Sequence, residues 1–243
     1  MNSPLFEELD YRPSPIGTLS LRRRRRPGTT DDVYEIKLDE GYLMSSLFTA
    51  GEIALADLAL APLGGRKLDV VVGGLGLGYT AKAALDHEEV RSLVVVDAIP
   101  EVIEWHQRHL LPLGKTISED PRCRLVCGNF FTMAAPGGVF DPVHPDRLHD
   151  AVLVDIDHSP RHLLHPDHAG FYELTGLQAL CDKLADDGVF ALWSTDPPDE
   201  EFLTRLRAVF ARTDAEVVEF DNPYQSRPAL NTIYLAHKRS ARR

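Results

Sequence analysis

The sequence predicts an α/β protein with a mostly parallel seven-stranded sheet that ends in an antiparallel hairpin, preceded by a small antiparallel β appendage. From residue 48 onward, helical patterns alternate with short buried-strand patterns, an alternation typical of parallel sheets covered on both faces. The last two strand patterns have no helix between them and should therefore pair as a hairpin. We expect two domains, a β domain at residues 1–47 and a larger domain at residues 48–243.

Three short strand patterns, 17–21, 33–38 and 42–44, predict the N-terminal sheet. Five consecutive arginines, residues 22–26, follow the first of them. Such a run could bind an anionic partner. Strand-like residues on both sides favour a charged edge strand instead, because charges on an edge oppose edge-to-edge aggregation.

The sequence predicts five helices and seven strands in the larger domain. Its predicted helices cover residues 52–60, 80–86, 101–110, 172–184 and 200–211. Its predicted strands cover residues 68–72, 92–97, 124–127, 151–155, 189–194, 215–220 and 232–236. The strand patterns are rich in valine and other apolar residues, as expected of strands buried on both faces.

The chain is acidic and otherwise ordinary in composition. Its 243 residues include 37 Asp and Glu against 26 Lys and Arg, a formal charge of −11, which disfavours binding to a nucleic-acid backbone. The apolar stretches are shorter than the roughly 20 residues needed to cross a bilayer, and the N-terminus lacks the apolar core of a secretory signal. We expect a cytoplasmic protein with no nucleic-acid or membrane partner.

Three cysteines, at positions 123, 127 and 181, do not have the spacing of a zinc site. They are too few for a disulfide scaffold. We expect all three to be reduced thiols in the core.

The strongest chemical signal is a glycine-rich turn after the first strand of the larger domain. Gly74, Gly76 and Gly78 precede a helix, and Asp97 ends the next strand. Glycines let a nucleoside or phosphate approach the backbone, and the acid is placed to accept the ribose hydroxyls. A dinucleotide site would need a third glycine where Tyr79 stands. The spacing instead resembles the S-adenosylmethionine loop of class I methyltransferase folds.

Residues 70–194 resemble the spermidine synthase family, the polyamine aminopropyltransferases, which have a Rossmann-like class I methyltransferase fold and a small N-terminal β domain. The matching segments are the glycine loop 74–78, residues 87–97, 126–129, 149–155, 171–172 and 187–189. The resemblance implies that Asp97 binds ribose, that Asn129 holds the adenine amino group in place of an acid, and that Asp155 contacts the donor and deprotonates the attacking amine. An asparagine can still accept that hydrogen bond through its side-chain oxygen.

The chain departs from the family pattern on the amine side. Leu77 stands where the family has an aspartate that holds the aminopropyl amine. Glu52 matches the glutamate of the family's gate helix, but the preceding Tyr-Gln pair is Ala50-Gly51 here. The second aspartate that follows the catalytic acid is replaced by His158. Most of the residues that the family uses to bind the nucleoside are kept, and several of those that it uses to bind the amine are replaced.

A loop rich in histidine and aspartate follows the strand that ends near Asp155. It contains Asp157, His158, His162, His165 and His168. Such a loop could hold a metal, supply catalytic groups or cap and order itself. Prolines at 160 and 166 interrupt any continuous helical ligand face, so we expect no metal.

We expect Asp155 to act with Asp157 and His158 in catalysis, because a group of carboxylates binds an ammonium ion and accepts its proton. Glu52 and Asp196 should complete an acidic pocket for a cationic substrate. The favoured hypothesis is a homodimeric transferase that uses S-adenosylmethionine, or its decarboxylated form, to transfer an aminopropyl group to an amine or other small acceptor. The alternatives are a small-molecule methyltransferase and a non-catalytic nucleoside-binding dimer.

Overall fold

Two β-sheets and seven α-helices make up the part of the chain that the structure describes, residues 5–14, 16–26, 28–222 and 227–240 of a computed structural model. The first sheet is antiparallel, in the order β1-β2-β3-β4. Its strands are β1 (Phe6–Ser14), β2 (Gly17–Arg25), β3 (Asp32–Leu38) and β4 (Gly41–Ser45). The expected small N-terminal sheet is therefore present, with one strand more than the sequence predicted.

The arginine run lies in β2, between β1 and β3, so the predicted edge position is wrong. The edge strand β1 had escaped prediction because acids and a proline interrupt its apolar pattern. Neighbouring acids pair with the run: Arg24 Nε donates to Glu35 Oε1 at 2.7 Å, and Arg25 Nε to Asp32 Oδ1 at 2.8 Å. Arg23 donates to Glu7 across the β1–β2 ladder. These pairs make the run part of the sheet and leave less of its charge for an anionic partner.

The second sheet has seven strands and is parallel except at one edge. They are β5 (Leu68–Gly73), β6 (Val90–Asp97), β7 (Cys123–Cys127), β8 (His149–Val154), β9 (Leu184–Ser194), β10 (Arg212–Phe220) and β11 (Ala229–His237). Their order is β7-β6-β5-β8-β9-β11-β10, with β10 and β11 antiparallel. This confirms the predicted mostly parallel sheet and its closing hairpin.

Helices cover both faces of this sheet. They are α1 (Ala50–Leu60), α2 (Tyr79–Asp86), α3 (Pro100–Gln107), α4 (Gly114–Ser118), α5 (Phe130–Ala134), α6 (Leu174–Asp182) and α7 (Glu200–Val209). The short α4 and α5 were not predicted, because five residues are too few to display a helical period. The helix predicted over 172–184 is shorter: a 3-10 helix (Pro166–Tyr172) precedes α6, and β9 begins at Leu184.

Alternate residues of the central strands feed two apolar cores, one on each face of the sheet. Val70 and Val72 of β5 lie in one core and Val71 in the other, as the two-residue period of a strand requires. Leu19 and Leu21 of β2 join the first core. The N-terminal sheet is thus packed into the same apolar interior as the larger domain.

Polar contacts reinforce this junction on the α3 side. Trp105 Nε1 donates to Asp10 Oδ2 at 2.6 Å, and Arg12 Nη1 donates to Glu104 Oε2 at 2.8 Å. No helix in the described ranges is long and apolar enough to span a membrane. All three cysteines are free, but only Cys181 is buried; Cys127 is exposed, contrary to its predicted core position.

The switch point of the sheet lies between β5 and β8, which are neighbours although the chain continues from β5 to β6 on the other side. Ligands of open α/β sheets bind in the crevice beyond the carboxyl ends of the strands at such a point. The segments following β5, β6 and β8 therefore converge where a site is expected.

Candidate active site

The glycine loop between β5 and α2 depends on conformations that other residues rarely adopt. Gly74, Gly76 and Gly78 have φ angles of 94°, 46° and 93°. A Cβ at Gly74 would lie 2.1 Å from the carbonyl oxygen of Asp155, a contact no side chain can make. These glycines therefore let the loop turn sharply and lie directly against the end of β8.

His106 of α3 forms a hydrogen bond with the same loop. Its Nε2 donates to the Gly76 carbonyl oxygen at 2.8 Å, and the side chain is fully buried. Burial lowers the pKa of His106 to about 4, so the ring is neutral at physiological pH. Sequence reasoning missed this residue, because nothing in the α3 pattern distinguishes it from an ordinary helix residue.

Asp97 ends β6 and accepts hydrogen bonds from backbone N–H groups of the glycine loop and of the segment just before α3. Its Oδ2 accepts from the Leu75 N–H and its Oδ1 from the Ile99 N–H, each at 2.8 Å. Burial raises the pKa of Asp97, and these backbone hydrogen bonds oppose that rise. The acid stands beside the glycine loop as expected; with a third backbone hydrogen bond from Gly76, the carboxylate keeps one acceptor site for a ligand hydroxyl.

Asn129 caps α5. Its Oδ1 accepts from the N–H of Phe131 at 2.9 Å and from that of Thr132 at 3.2 Å. Both lone pairs of the oxygen are therefore in use, and the group left for a ligand is the amide NH₂, a donor. The predicted acceptance of a hydrogen bond from the adenine amino group does not fit this arrangement.

Asp155, at the end of β8, forms the chemical centre of the site. Its backbone N–H donates to the Gly73 carbonyl oxygen at 2.8 Å, and Thr80 Oγ1 donates to its Oδ2 at 2.8 Å. Burial raises the pKa of Asp155 to about 6, and the Thr80 hydrogen bond limits the rise. Thr80, in the first turn of α2, was missed because a threonine there reads as an ordinary helix residue.

Glu52 of α1 interacts electrostatically with Asp155. Burial, and then repulsion from the Asp155 carboxylate, raise the pKa of Glu52 to about 8. Two carboxyl groups that repel one another in a partly desolvated site ionise one after the other, so the pair keeps one proton into the neutral pH range. The structure thus brings the predicted residues Glu52 and Asp155 together as a pair.

The sequence predicted Asp157 as a catalytic acid, but in the structure its carboxylate is held within its own loop. The residue is 1% exposed. Its Oδ1 accepts from the Leu164 N–H at 2.7 Å and pairs with His168 Nδ1 at 2.8 Å, while Tyr172 OH donates to Oδ2 at 2.8 Å. These contacts engage both carboxylate oxygens and make Asp157 the anchor of the histidine loop.

The four histidines of the loop differ in their hydrogen-bond and stacking partners. His158 is exposed, and its carbonyl oxygen accepts from the Thr195 N–H at 2.7 Å. His165 Nδ1 accepts from the Asp167 N–H at 3.2 Å, and the His168 ring stacks on Phe131 with 3.8 Å between centroids. Within the described residues, no three His, Cys, Asp or Glu side chains group as a metal site.

Asp196 follows β9 at the same edge of the sheet and contacts the histidine loop. His162 Nδ1 lies 2.8 Å from its Oδ2. Burial would raise the pKa of Asp196, but hydrogen bonds from Ser159 and His162 outweigh it and lower that pKa. Its carboxylate is therefore partly engaged by the histidine loop.

Two departures from the family pattern have structural counterparts. Leu77 is 5% exposed and belongs to the apolar core. A Cβ on Gly51 would lie 2.4 Å from both Trp193 Nε1 and Asn231 Oδ1. The side chains of β9 and β11 thus fill the space that a larger residue at position 51 would need.

Sequence comparison supports the predicted resemblance, although no family model matches the chain. The chain is 31% identical over 154 residues to polyamine aminopropyltransferase 2 of Pseudomonas aeruginosa, covering 59% of this chain and 40% of that protein. It is 31% identical over 125 residues to the polyamine aminopropyltransferase of Pyrobaculum islandicum, covering 50% of this chain and 39% of that protein. The chain thus spans about two fifths of the length of these curated relatives.

Solved structures agree in fold. Spermidine synthase from Thermotoga maritima superimposes with a TM-score of 0.70 at 20% identity, covering 95% of this chain and 72% of that one. A spermidine synthase in complex with the transition-state analogue AdoDATO gives a TM-score of 0.72 at 20% identity, covering 95% and 73%. Together the comparisons confirm the resemblance to the spermidine synthase family and the Rossmann-like fold.

Proposed function

We propose that this chain, whose sequence and fold resemble the spermidine synthase family, is an aminopropyltransferase that uses decarboxylated S-adenosylmethionine as donor and a small amine as acceptor. The observation that carries the proposal is the Glu52–Asp155 carboxylate pair beside the glycine loop. Paired carboxylates attract an ammonium ion and can take its proton. Relatives named polyamine aminopropyltransferases support the same activity.

The two carboxyl groups have different roles at neutral pH. They titrate as a coupled pair, because burial raises the pKa of both and their mutual repulsion disfavours ionising both at once. In this proposal Asp155 is the base, and Thr80 orients it through the hydrogen bond to Oδ2. Glu52 donates a hydrogen bond or, once ionised by an arriving cation, adds a second negative charge.

The transfer needs only alignment and proton removal. The acceptor ammonium gives a proton to Asp155, and the freed nitrogen lone pair attacks the methylene carbon of the aminopropyl chain that is bonded to the sulfonium sulfur. The C–N bond forms as the C–S bond breaks, and its electron pair leaves with sulfur as a neutral thioether. The positive charge moves to the new secondary ammonium, so the step balances without a metal or redox partner.

The nucleoside side of the proposal rests on the glycine loop and Asp97. Gly74, Gly76 and Gly78 keep the backbone open to a bulky group, and the Asp97 oxygens face the same loop. In this proposal Asp97 accepts from the ribose hydroxyls. Asn129 contributes its amide NH₂ rather than its oxygen, since the oxygen caps α5.

Methyl transfer is the second candidate, and one observation favours it. Leu77 is buried in the apolar core, so no carboxylate at that position is available to hold the amine of an aminopropyl chain. A methyl donor does not require that contact.

Calorimetric titration with S-adenosylmethionine, its decarboxylated form and methylthioadenosine separates the candidates. Tighter binding of the decarboxylated donor, with methylthioadenosine released on adding diamines, supports aminopropyl transfer. Preference for S-adenosylmethionine, with methylated products, supports methyl transfer. Binding without turnover of either donor supports the non-catalytic alternative. The proposed homodimer is tested by light scattering on the same samples, and the cytoplasmic location stays a prediction.

A further inference from the structure

A second cavity lies at the opposite edge of the large sheet from the glycine loop. It has a volume of about 300 Å³ and is lined at the amino ends of β5, β6 and β7, where Asp69, Ser92 and Cys123 begin or nearly begin their strands. The carboxyl ends of the same strands carry the proposed nucleoside site. The cavity is therefore separated from that site by the length of the strands.

Arginines dominate the lining. Arg91, Arg122, Arg124 and Arg147 surround the cavity together with His144. Such a concentration of guanidinium groups is unexpected in a chain with a formal charge of −11. Converging guanidinium groups in a concave site focus the local potential and attract anions.

Three carboxylates pair with these arginines and leave one positive charge in excess. Asp69 pairs with Arg91 and, at 3.4 Å, with Arg147. Asp120 lies 2.8 Å from Arg122 and Asp141 pairs with Arg124. Four guanidinium groups against three carboxylates give the excess, and the nearby Asp150 is paired with Arg66 at 3.1 Å.

Several guanidinium donors remain available to a ligand. Arg124 and Arg147 each use only Nη1 in the hydrogen bonds found within the described residues, and Arg91 uses Nε and Nη2. Arg91 and Arg124 are 59% and 42% exposed, so solvent reaches them. Ser92 Oγ, which accepts from Arg147 Nη1 at 3.0 Å, places a hydroxyl beside them.

We propose that this cavity binds a small phosphate-bearing anion. The planar fork of arginine matches the oxygens of a phosphoryl group and binds two of them at once. A volume of about 300 Å³ is at the lower end of the range for ligand pockets and suits a compact anion. The acidic remainder of the surface disfavours an extended polyphosphate.

Calorimetric titration of the full chain with inorganic phosphate and with glycerol phosphate, at low salt, tests the proposal. Arg124→Lys keeps a charge beside Asp141 but loses the fork, and should weaken binding about tenfold. Ser92→Asp puts a carboxylate into the cavity and should abolish binding. Arg207→Lys, on the exposed face of α7 beside Glu200, is the matched control and should not change the affinity.

The two probes distinguish the source of the phosphate. Equal affinity assigns recognition to the phosphoryl group alone, and tighter binding of glycerol phosphate assigns part of it to the attached group; both support the site. The proposal is overturned if neither probe binds, or if Arg124→Lys and Ser92→Asp both bind the probes like the unmodified chain. Competition by saturating methylthioadenosine would also overturn it, because the anion would then lie in the nucleoside site.

Discussion

The glycine loop and the histidine loop lie at the same edge of the sheet but are held in place by different means. The glycine loop owes its shape to positive φ angles and to backbone N–H groups bound by Asp97. The histidine loop is organised around one buried side chain, Asp157, which binds a backbone N–H, a histidine and a tyrosine. The first loop consists of glycine and leucine and leaves ligand recognition to Asp97 beside it, whereas many polar side chains of the second loop hold that loop itself.

This difference explains why a dense cluster of histidines and acids does not form a catalytic cluster. Buried polar groups must find hydrogen-bond partners, and in this loop they find one another. The catalytic carboxylates we propose, Asp155 and Glu52, lie at the border of the two regions. Four predictions test the contrast, beginning with the largest expected effect.

Asp155→Asn should lower turnover about 100-fold or more while nucleoside affinity is retained, because the amide keeps the shape and cannot take a proton. Steady-state rates with a diamine acceptor and calorimetry with methylthioadenosine measure the two quantities. Full activity of the folded variant would remove Asp155 from the mechanism.

Asp157→Ala should lower the free energy of unfolding by about 2–4 kcal/mol, because His168, Tyr172 and the Leu164 N–H lose a buried acceptor. Urea denaturation gives the value. The isosteric Asp157→Asn is the sharper comparison with Asp155→Asn: if it stays as stable as the unmodified chain yet loses turnover, Asp157 acts in catalysis and our assignment of it as an anchor is wrong.

Asp97→Ala should weaken binding of adenosine-containing ligands by about 1–3 kcal/mol, because ribose hydroxyls lose an acceptor and the glycine loop loses its bond at Leu75. Asp196→Asn is the control on the acceptor side and should raise the acceptor KM with nucleoside affinity unchanged. Titration with NAD tests the dinucleotide alternative, and tight NAD binding without binding of S-adenosylmethionine would reverse the ligand assignment.

Glu52→Gln should alter the pH dependence of stability. The folded chain keeps the Glu52 proton up to a pKa of about 8, against an ordinary value of 4.5. Between these values the folded state binds more protons than the unfolded state, so the free energy of unfolding falls as pH rises.

The glutamine variant removes this contribution and should be the more stable protein at pH 8, by about 1 kcal/mol or more. Denaturant midpoints across pH 5 to 8 measure the effect. Parallel curves for the two proteins would show that Glu52 titrates normally.

The amino-acid sequence alone was enough to place the main elements in order and to locate the glycine loop. The alternation of strands and helices, the closing hairpin and the glycine spacing are local signals, because each comes from neighbouring residues whose periodicity or backbone freedom is visible in a short window. Asp97 could be placed for the same reason, since parallel strands bring their carboxyl ends to one edge.

Which side chains meet became visible only in the folded chain. Some of these contacts join residues that are distant in the chain, as in the pairing of Glu52 with Asp155 and in the arginine-lined cavity. Others depend on how one side chain is oriented, as in the capping by Asn129 and the hydrogen bonds of Asp157 within its own loop. The same carboxylate serves as base, anchor or ion-pair partner according to its burial and its neighbours. Those are set by packing between elements, which leaves no periodic trace in the sequence.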